Sequence, residues 1–189
     1  MPFLKKIAAW PIIFVLFVIY LGFSLWLFPY YQSQIDDLAG EPLTALDLRM
    51  QYSPGEVKDL MAQMGKEGRA INRFISGRID MIYPLVYGLF LILLLVRLSS
   101  TLKYHRGPWL LLVPILAMLF DYLENFQVLR MLRQYPDISE ELVAFSSLMS
   151  SLKWLFVLAA LLLVVILGIL QGSIFIRNKR AQGKRKSQD

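Results

Sequence analysis

Four runs of apolar residues set the plan of this chain. The first covers residues 7–35 without a charged side chain. The second covers residues 81–96, between Asp80 and Arg97. The third begins at Gly107, Pro108 and Trp109 and continues to about Leu129, and the fourth fills residues 154–176. A helix rises about 1.5 Å per residue and a bilayer's hydrocarbon core is about 30 Å thick, so these runs are of membrane-crossing length or slightly short of it. They predict an all-α polytopic membrane protein, a four-transmembrane-helix bundle joined up-down-up-down with helical extracytoplasmic segments. Residues 1–176 form a single membrane domain in this reading, with spans at about 7–31, 80–97, 108–129 and 153–176. The first run is much longer than the apolar core of a signal peptide. The bulky residues Pro29, Tyr30, Tyr31 and Gln32 offer no small-x-small cleavage site, so it reads as an uncleaved anchor.

The polar stretches between the runs carry their own helix signals. Ser53, Pro54 and Glu56 have the spacing of a capping box with proline at the first helical position. Val57, Leu60, Met61 and Met64 then recur at helical spacing, and Gly65 is placed to end that helix. A second helix is expected from about Glu67 directly into span two, making 53–79 a helical outer segment that either lies on the leaflet or caps the bundle; capping is the expectation. Tyr135, Pro136 and Asp137 predict a turn, with Asp137 or Ser139 capping the helix that leads into span four. Ser146, Ser147, Ser150 and Ser151 form i, i+4 pairs of small residues, which read as a close-packing surface between helices.

Composition agrees with this plan. The chain has 189 residues, 57% of them apolar, and a mean hydropathy of +0.52. There is no cysteine, so disulfides, thiolate catalysis and cysteine metal sites are excluded. His105 is the single histidine, in a basic loop, and one histidine supplies neither paired haem ligation nor a histidine metal cluster. No metal and no cofactor is implied. The net charge of +6 sits mostly beside the apolar runs, where membrane orientation accounts for it and nucleic-acid binding is not needed. Lys5 and Lys6, Arg97, Lys103 and Arg106, and the basic tail fall on one side of a four-span plan. Both termini are therefore expected in the cytoplasm, and a bacterial inner membrane fits best. The tail, 177–189, is expected to be disordered.

Candidate chemistry lies where the third run is interrupted. Asp121 and Glu124 follow only fourteen uncharged residues, 107–120, and acids at membrane depth are costly and usually functional. Asp80 is seventeen residues from Arg97, and Glu124 is seventeen from Gly107. On neighbouring antiparallel helices both would lie at one level, about 25 Å from the inner ends. Asp121, Glu124 and Asn125 share one helix face, and Arg73, Gly77, Asp80, Pro84 and Tyr87 form a similar stripe. Pro84 removes the helical partner of the Asp80 carbonyl, for which Arg73, Arg78, Asn72, Tyr83 or water could substitute. Lys153 or Arg130 could be the counter-ion of the span-three acids. Two readings stay open. One is a polar pocket built from Arg73, Asp80, Tyr83, Tyr87, Asp121, Glu124, Asn125 and Lys153. The other is a structural network of the same residues that locks the helices in register.

These words also carry two resemblances. Residues 52–56 (Tyr-Ser-Pro-Gly-Glu), 64–69 (Met-Gly-Lys-Glu-Gly-Arg), Asp80 with Pro84 and Tyr87, and 121–125 (Asp-Tyr-Leu-Glu-Asn) together resemble a group of small uncharacterised bacterial four-span membrane proteins. That likeness implies architecture and no activity. The plan of spans with acids beside prolines is also similar to the emopamil-binding/sigma-2-receptor (EXPERA) family, which implies binding of sterol-like amines or isomerisation of sterol double bonds by intramembrane carboxyls. Asp80, and residues 113–116 leading to Asp121 and Glu124, carry it. The departures are that the spans hold no histidine and span one holds no acid.

Three functions are therefore expected in order. The first is a non-catalytic membrane module that binds lipid or a small amphiphile, or assembles with a protein partner or with copies of itself. The second is a small isomerase-like enzyme using Asp80, Asp121 or Glu124 for proton transfer. The third is a proton-linked transporter subunit.

Overall fold

A computed structural model describes residues 2–100 and 108–186. Expectations that rest on Lys103, His105 and Arg106 lie outside the described residues. The architecture is an all-α bundle with four helices long and apolar enough to cross a membrane, Trp10–Ala39, Gly65–Ser99, Trp109–Gln134 and Glu140–Arg177. The expected spans are thus the middles of longer helices, whose extra turns at one end build a folded cap.

The first crossing begins after a short helix, α1 (Pro2–Ile7), and a break at Ala8 and Ala9. Pro11 stands in the first turn of α2 (Trp10–Gly22), where its missing N–H costs nothing. A π-helical turn, Phe23–Leu27, joins α2 to α3 (Phe28–Ala39), which Gly40 closes in the left-handed conformation (φ 77°). A chain of loop and one 3₁₀ turn (Leu46–Leu48) leads to α4 (Pro54–Gln63). Gly65, at φ 63°, turns the chain into α5 (Gly65–Phe74). A second π-helical turn, Ile75–Ile79, carries α5 into α6 (Asp80–Ser99). Then come a 3₁₀ turn (Pro108–Leu111), α7 (Leu112–Gln134) and α8 (Glu140–Lys186). The first and last crossings meet at that end of the bundle where Ala8 and Leu167 share one buried cluster.

α8 runs on through Lys186. Arg, Lys, Gln and Ala are good helix formers, and they extend a helix already nucleated by the span.

The cap has its own apolar core. Ile35 of α3, Leu46 and Tyr52 of the connecting strap, and Val57, Leu60, Met61 and Met64 of α4 bury against Val128, Met131 and Leu132 of α7 and Leu142 and Val143 of α8. The apolar stripe of α4 therefore faces protein. Ser53 caps α4 with the expected box: its Oγ accepts from Glu56 N at 3.4 Å, and Glu56 Oε2 accepts from Ser53 N at 2.7 Å. Those hydrogen bonds from Ser53 hold the Glu56 carboxyl below the ordinary glutamate range. A lowered folded-state value means that the contribution is present above the ordinary glutamate pKa and is lost as pH falls through the lowered value. Replacing Ser53 by alanine is expected to cost about 1 kcal/mol in denaturation experiments, and to weaken the part of the acid destabilisation that belongs to this cap.

At the terminal end, Ala8, Ile13, Leu93, Leu95, Val96, Leu98, Leu111 and Leu167 form a closed apolar cluster. Arg97 sits 5.7 Å over the Trp10 ring there. Between the two ends, α6 and α7 approach closely at Gly88. A Cβ built there falls on the thioether of Met118. Gly88→Val is expected to cost about 1–3 kcal/mol by thermal denaturation, and adding Met118→Ala to recover part of it; a silent Gly88→Val would mean that the helices are further apart.

Candidate functional site

The start of α6 is irregular on both sides of Asp80. The π-helical turn before it inserts one extra residue, and Pro84 after it has no N–H to give to the Asp80 carbonyl. Asn125 of α7 replaces the missing donor: its Nδ2 donates to Asp80 O at 3.2 Å and to Asp121 Oδ1 at 3.3 Å. Tyr122 Oη donates to the next carbonyl, Met81 O, at 3.0 Å. None of the donors expected for the Asp80 carbonyl is used; the amide sits on the neighbouring helix, one turn from Asp121.

Asp121 accepts a second hydrogen bond, from Tyr87 Oη at 2.9 Å. Glu124 turns instead to α8, where Lys153 Nζ lies 2.6 Å from Oε2. Glu124 is fully buried, and neither of its oxygens accepts a hydrogen bond of good geometry, so the ammonium carries the compensation. Lys153 also donates to the carbonyl of Asp47 at 2.8 Å. Arg130 bonds Gln127 instead.

The acids divide between two partners: Asp121 lines a cavity with Asp80, whereas Glu124 pairs with Lys153. The reason is rotation of α7, whose Glu124 side meets α8 at the point where Lys153 supplies opposite charge. Arg73 does not belong to the site. The extra residue of the π-helical turn shifts it off the Asp80 stripe, since each helical residue turns the face by about 100°. Its guanidinium is exposed and donates to Leu132 O at 3.2 Å, closing the end of α7. Arg69, one turn earlier, stacks 4.1 Å over Tyr135 and donates to Met61 O. These two arginines tie the cap together.

The cavity is about 390 Å³ and lies between α2, α6 and α8 under the strap. Its cap-side end is polar, with Asp47, Asp80, Asp121, Lys153, Tyr83 and Tyr87. Its other end is apolar, with Phe90, Leu91, Leu94, Val157 and Val164. Tyr83 Oη bonds Ser24 Oγ at 3.1 Å, where the π-helical turn of the first crossing places that hydroxyl. Along the wall Tyr20 stacks on Tyr83, and Tyr83 meets Tyr87 edge to face.

The strap was not legible as part of the site. Residues 47–52 are clipped to α8 by the serines that spacing marks as a close-packing surface. Ser150 Oγ donates to Arg49 O at 2.6 Å and Ser151 Oγ to Met50 O at 2.8 Å. Tyr52 N donates to Ser147 Oγ at 3.0 Å, and Tyr52 Oη lies 2.7 Å from Ser146 Oγ. Trp154 Nε1 reaches Asp47 O at 3.3 Å. The serines thus admit an extended backbone rather than a helix. Burial, and next the charge of Glu124, push the Tyr52 hydroxyl far above the usual tyrosine range, so it stays neutral. The i, i+4 serine pairs were the available signal; Asp47 had none.

Among the described residues, no cluster of three or more His, Cys, Asp or Glu could hold a metal ion. No protein-family model, no curated protein and no solved structure matches this chain. Function is therefore argued from the site alone.

Proposed function

We propose that this protein is a non-catalytic integral membrane module that binds an amphiphilic small molecule or lipid in the cavity beneath its cap. The observation that carries this reading is the Asp80 carboxyl. It is 4% exposed and lines the cavity, and no hydrogen bond to it is formed among the described residues. Buried carboxyls are nearly always partnered, so one that faces an open space without a side-chain partner is placed to take donors from a bound molecule. The split of the cavity into a polar end and an apolar end supports an amphiphile. By the distribution of basic residues, we place the termini in the cytoplasm, in a bacterial inner membrane, with the cap outside. In that orientation the polar end lies toward the outer leaflet.

A second reading, an isomerase-like enzyme, is favoured by one observation: Tyr87 donates to Asp121 at the cavity wall, a pair able to pass a proton. Transport is disfavoured by the closed apolar cluster at the terminal end. Ligand binding to purified protein, measured with Asp80→Asn and Tyr87→Phe, separates the first two. Binding lost in Asp80→Asn with no chemical change in the bound molecule supports the module. Conversion of the bound molecule that stops in Tyr87→Phe supports the enzyme. Saturation binding by no amphiphile would overturn both.

A further inference from the structure

We infer that the ligand is a one-tailed amphiphile whose head supplies hydrogen-bond donors to Asp80, and that it enters sideways from the bilayer through the gap between α2 and α8. This rests on the amphiphile-binding reading above and specifies its ligand and route.

The head chemistry follows from which groups at the polar end are already satisfied. Asp121 holds Tyr87 and Asn125. Lys153, the cation of the cavity wall, is held by Glu124 and the Asp47 carbonyl. What remains open is the Asp80 carboxyl, with the Asp47 carboxyl near it at the strap, and a carboxylate only accepts. A head bearing an ammonium or hydroxyls completes it. A carboxylate or phosphate head would meet acids with no unpaired cation to offset them.

The tail follows from depth and volume. Asp80 and Leu94 are fourteen residues apart on α6, about 21 Å along the helix, so the cavity runs parallel to the spans with its head end at the cap. That is the orientation of a lipid of the leaflet on the cap side. Its volume of about 390 Å³ is at the small end of ligand pockets, which suits one chain better than two.

The route follows from residues that belong to two surfaces at once. Phe17 of α2 and Leu161 of α8 line the cavity and are nevertheless 37% and 46% exposed, as residues at its open side would be. Leu48 of the strap, 62% exposed, completes the rim above them. α2 packs mainly on α6 and α8 mainly on α7, with little contact between α2 and α8 themselves, which leaves a slit between them that opens on the hydrocarbon. A tail can pass through such a slit without entering water.

The test uses the full-length protein in nanodiscs of diacyl phosphatidylcholine. Dodecylamine, monododecanoylglycerol and dodecanoic acid are added separately, and occupancy is read by native mass spectrometry. Wild type is expected to take up the amine or the monoacylglycerol at one per chain, and the acid at least tenfold more weakly. Which of the first two wins identifies the head as ammonium or polyol. Asp80→Asn is expected to weaken binding by about tenfold or more, the usual effect of losing hydrogen bonds to a charged group. Val164→Trp, which fills the tail end and leaves the head end untouched, is expected to abolish uptake; it and the wild-type panel decide the matter if Asp80→Asn does not fold. Equal binding of the acid, or full binding to a folded Asp80→Asn protein, overturns the head assignment while leaving amphiphile binding intact. A retained diacyl lipid at one per chain that Val164→Trp expels overturns the single tail. Full uptake by Leu161→Trp, which blocks the slit, overturns the route. Uptake of no probe by wild type overturns the amphiphile-binding reading itself.

Discussion

Lys153→Met is expected to destabilise the protein by about 3–5 kcal/mol, the usual cost of leaving one partner of a buried ion pair without the other. Glu124 is fully buried, and the opposite charge beside it is the Lys153 ammonium 2.6 Å away. The same substitution also removes the shorter of the two hydrogen bonds to the Asp47 carbonyl and leaves Trp154 to hold it alone, so the strap over the cavity loosens. Methionine keeps the stem of lysine, which limits the packing change. The double variant Glu124→Gln, Lys153→Met is expected to regain most of the loss, because no uncompensated charge is then buried. Chemical denaturation of both variants in the same nanodiscs checks this. A single variant as stable as wild type, or a double variant worse than the single, would show that the pair does not carry the charge of Glu124.

Ile35→Ala is expected to cost about 2–5 kcal/mol, with the loss concentrated in the cap. Ile35 is fully buried in the core shared by α3, α4, α7 and α8. Its Cγ2 also lies 3.7 Å from where a Cβ on Gly68 would stand, so it is pinned between α3 and α5. Truncation leaves a void among Val57, Leu60 and Met131, which are anchored by other elements and cannot all close on it. Proteolysis of residues 40–53 is expected to accelerate in this variant while the spans stay protected. Uniform protection of the strap in Ile35→Ala would place the stability of the cap elsewhere.

Periodicity and turn chemistry made the fold legible. Apolar runs marked the crossings, and Ser53, Pro54, Glu56 and Gly65 act where their spacing places them because each obeys a local rule. The site was legible only in its composition. Asp80, Asp121, Glu124 and Lys153 stood out as charges at membrane depth, yet their pairing depends on helix rotation, which no local rule fixes. The π-helical turn at Ile75–Ile79 moved Arg73 off the stripe, and nothing in Ile-Ser-Gly-Arg-Ile announces an extra residue in a turn. Asp47 stayed hidden for a different reason. It reaches the site through a strap held by hydrogen bonds to serines about a hundred positions away, such as Ser150 to Arg49. The serine spacing recorded that something packs closely, without recording that it is backbone.

The most direct measurement is an experimental density map of the protein in nanodiscs made from its native membrane, without added detergent. A single unbranched tail of density is expected between α2, α6 and α8, with its head within hydrogen-bonding distance of the Asp80 carboxyl. A cavity closed by contact of α2 with α8, or Asp80 turned out of it and bonded to another side chain, would contradict it.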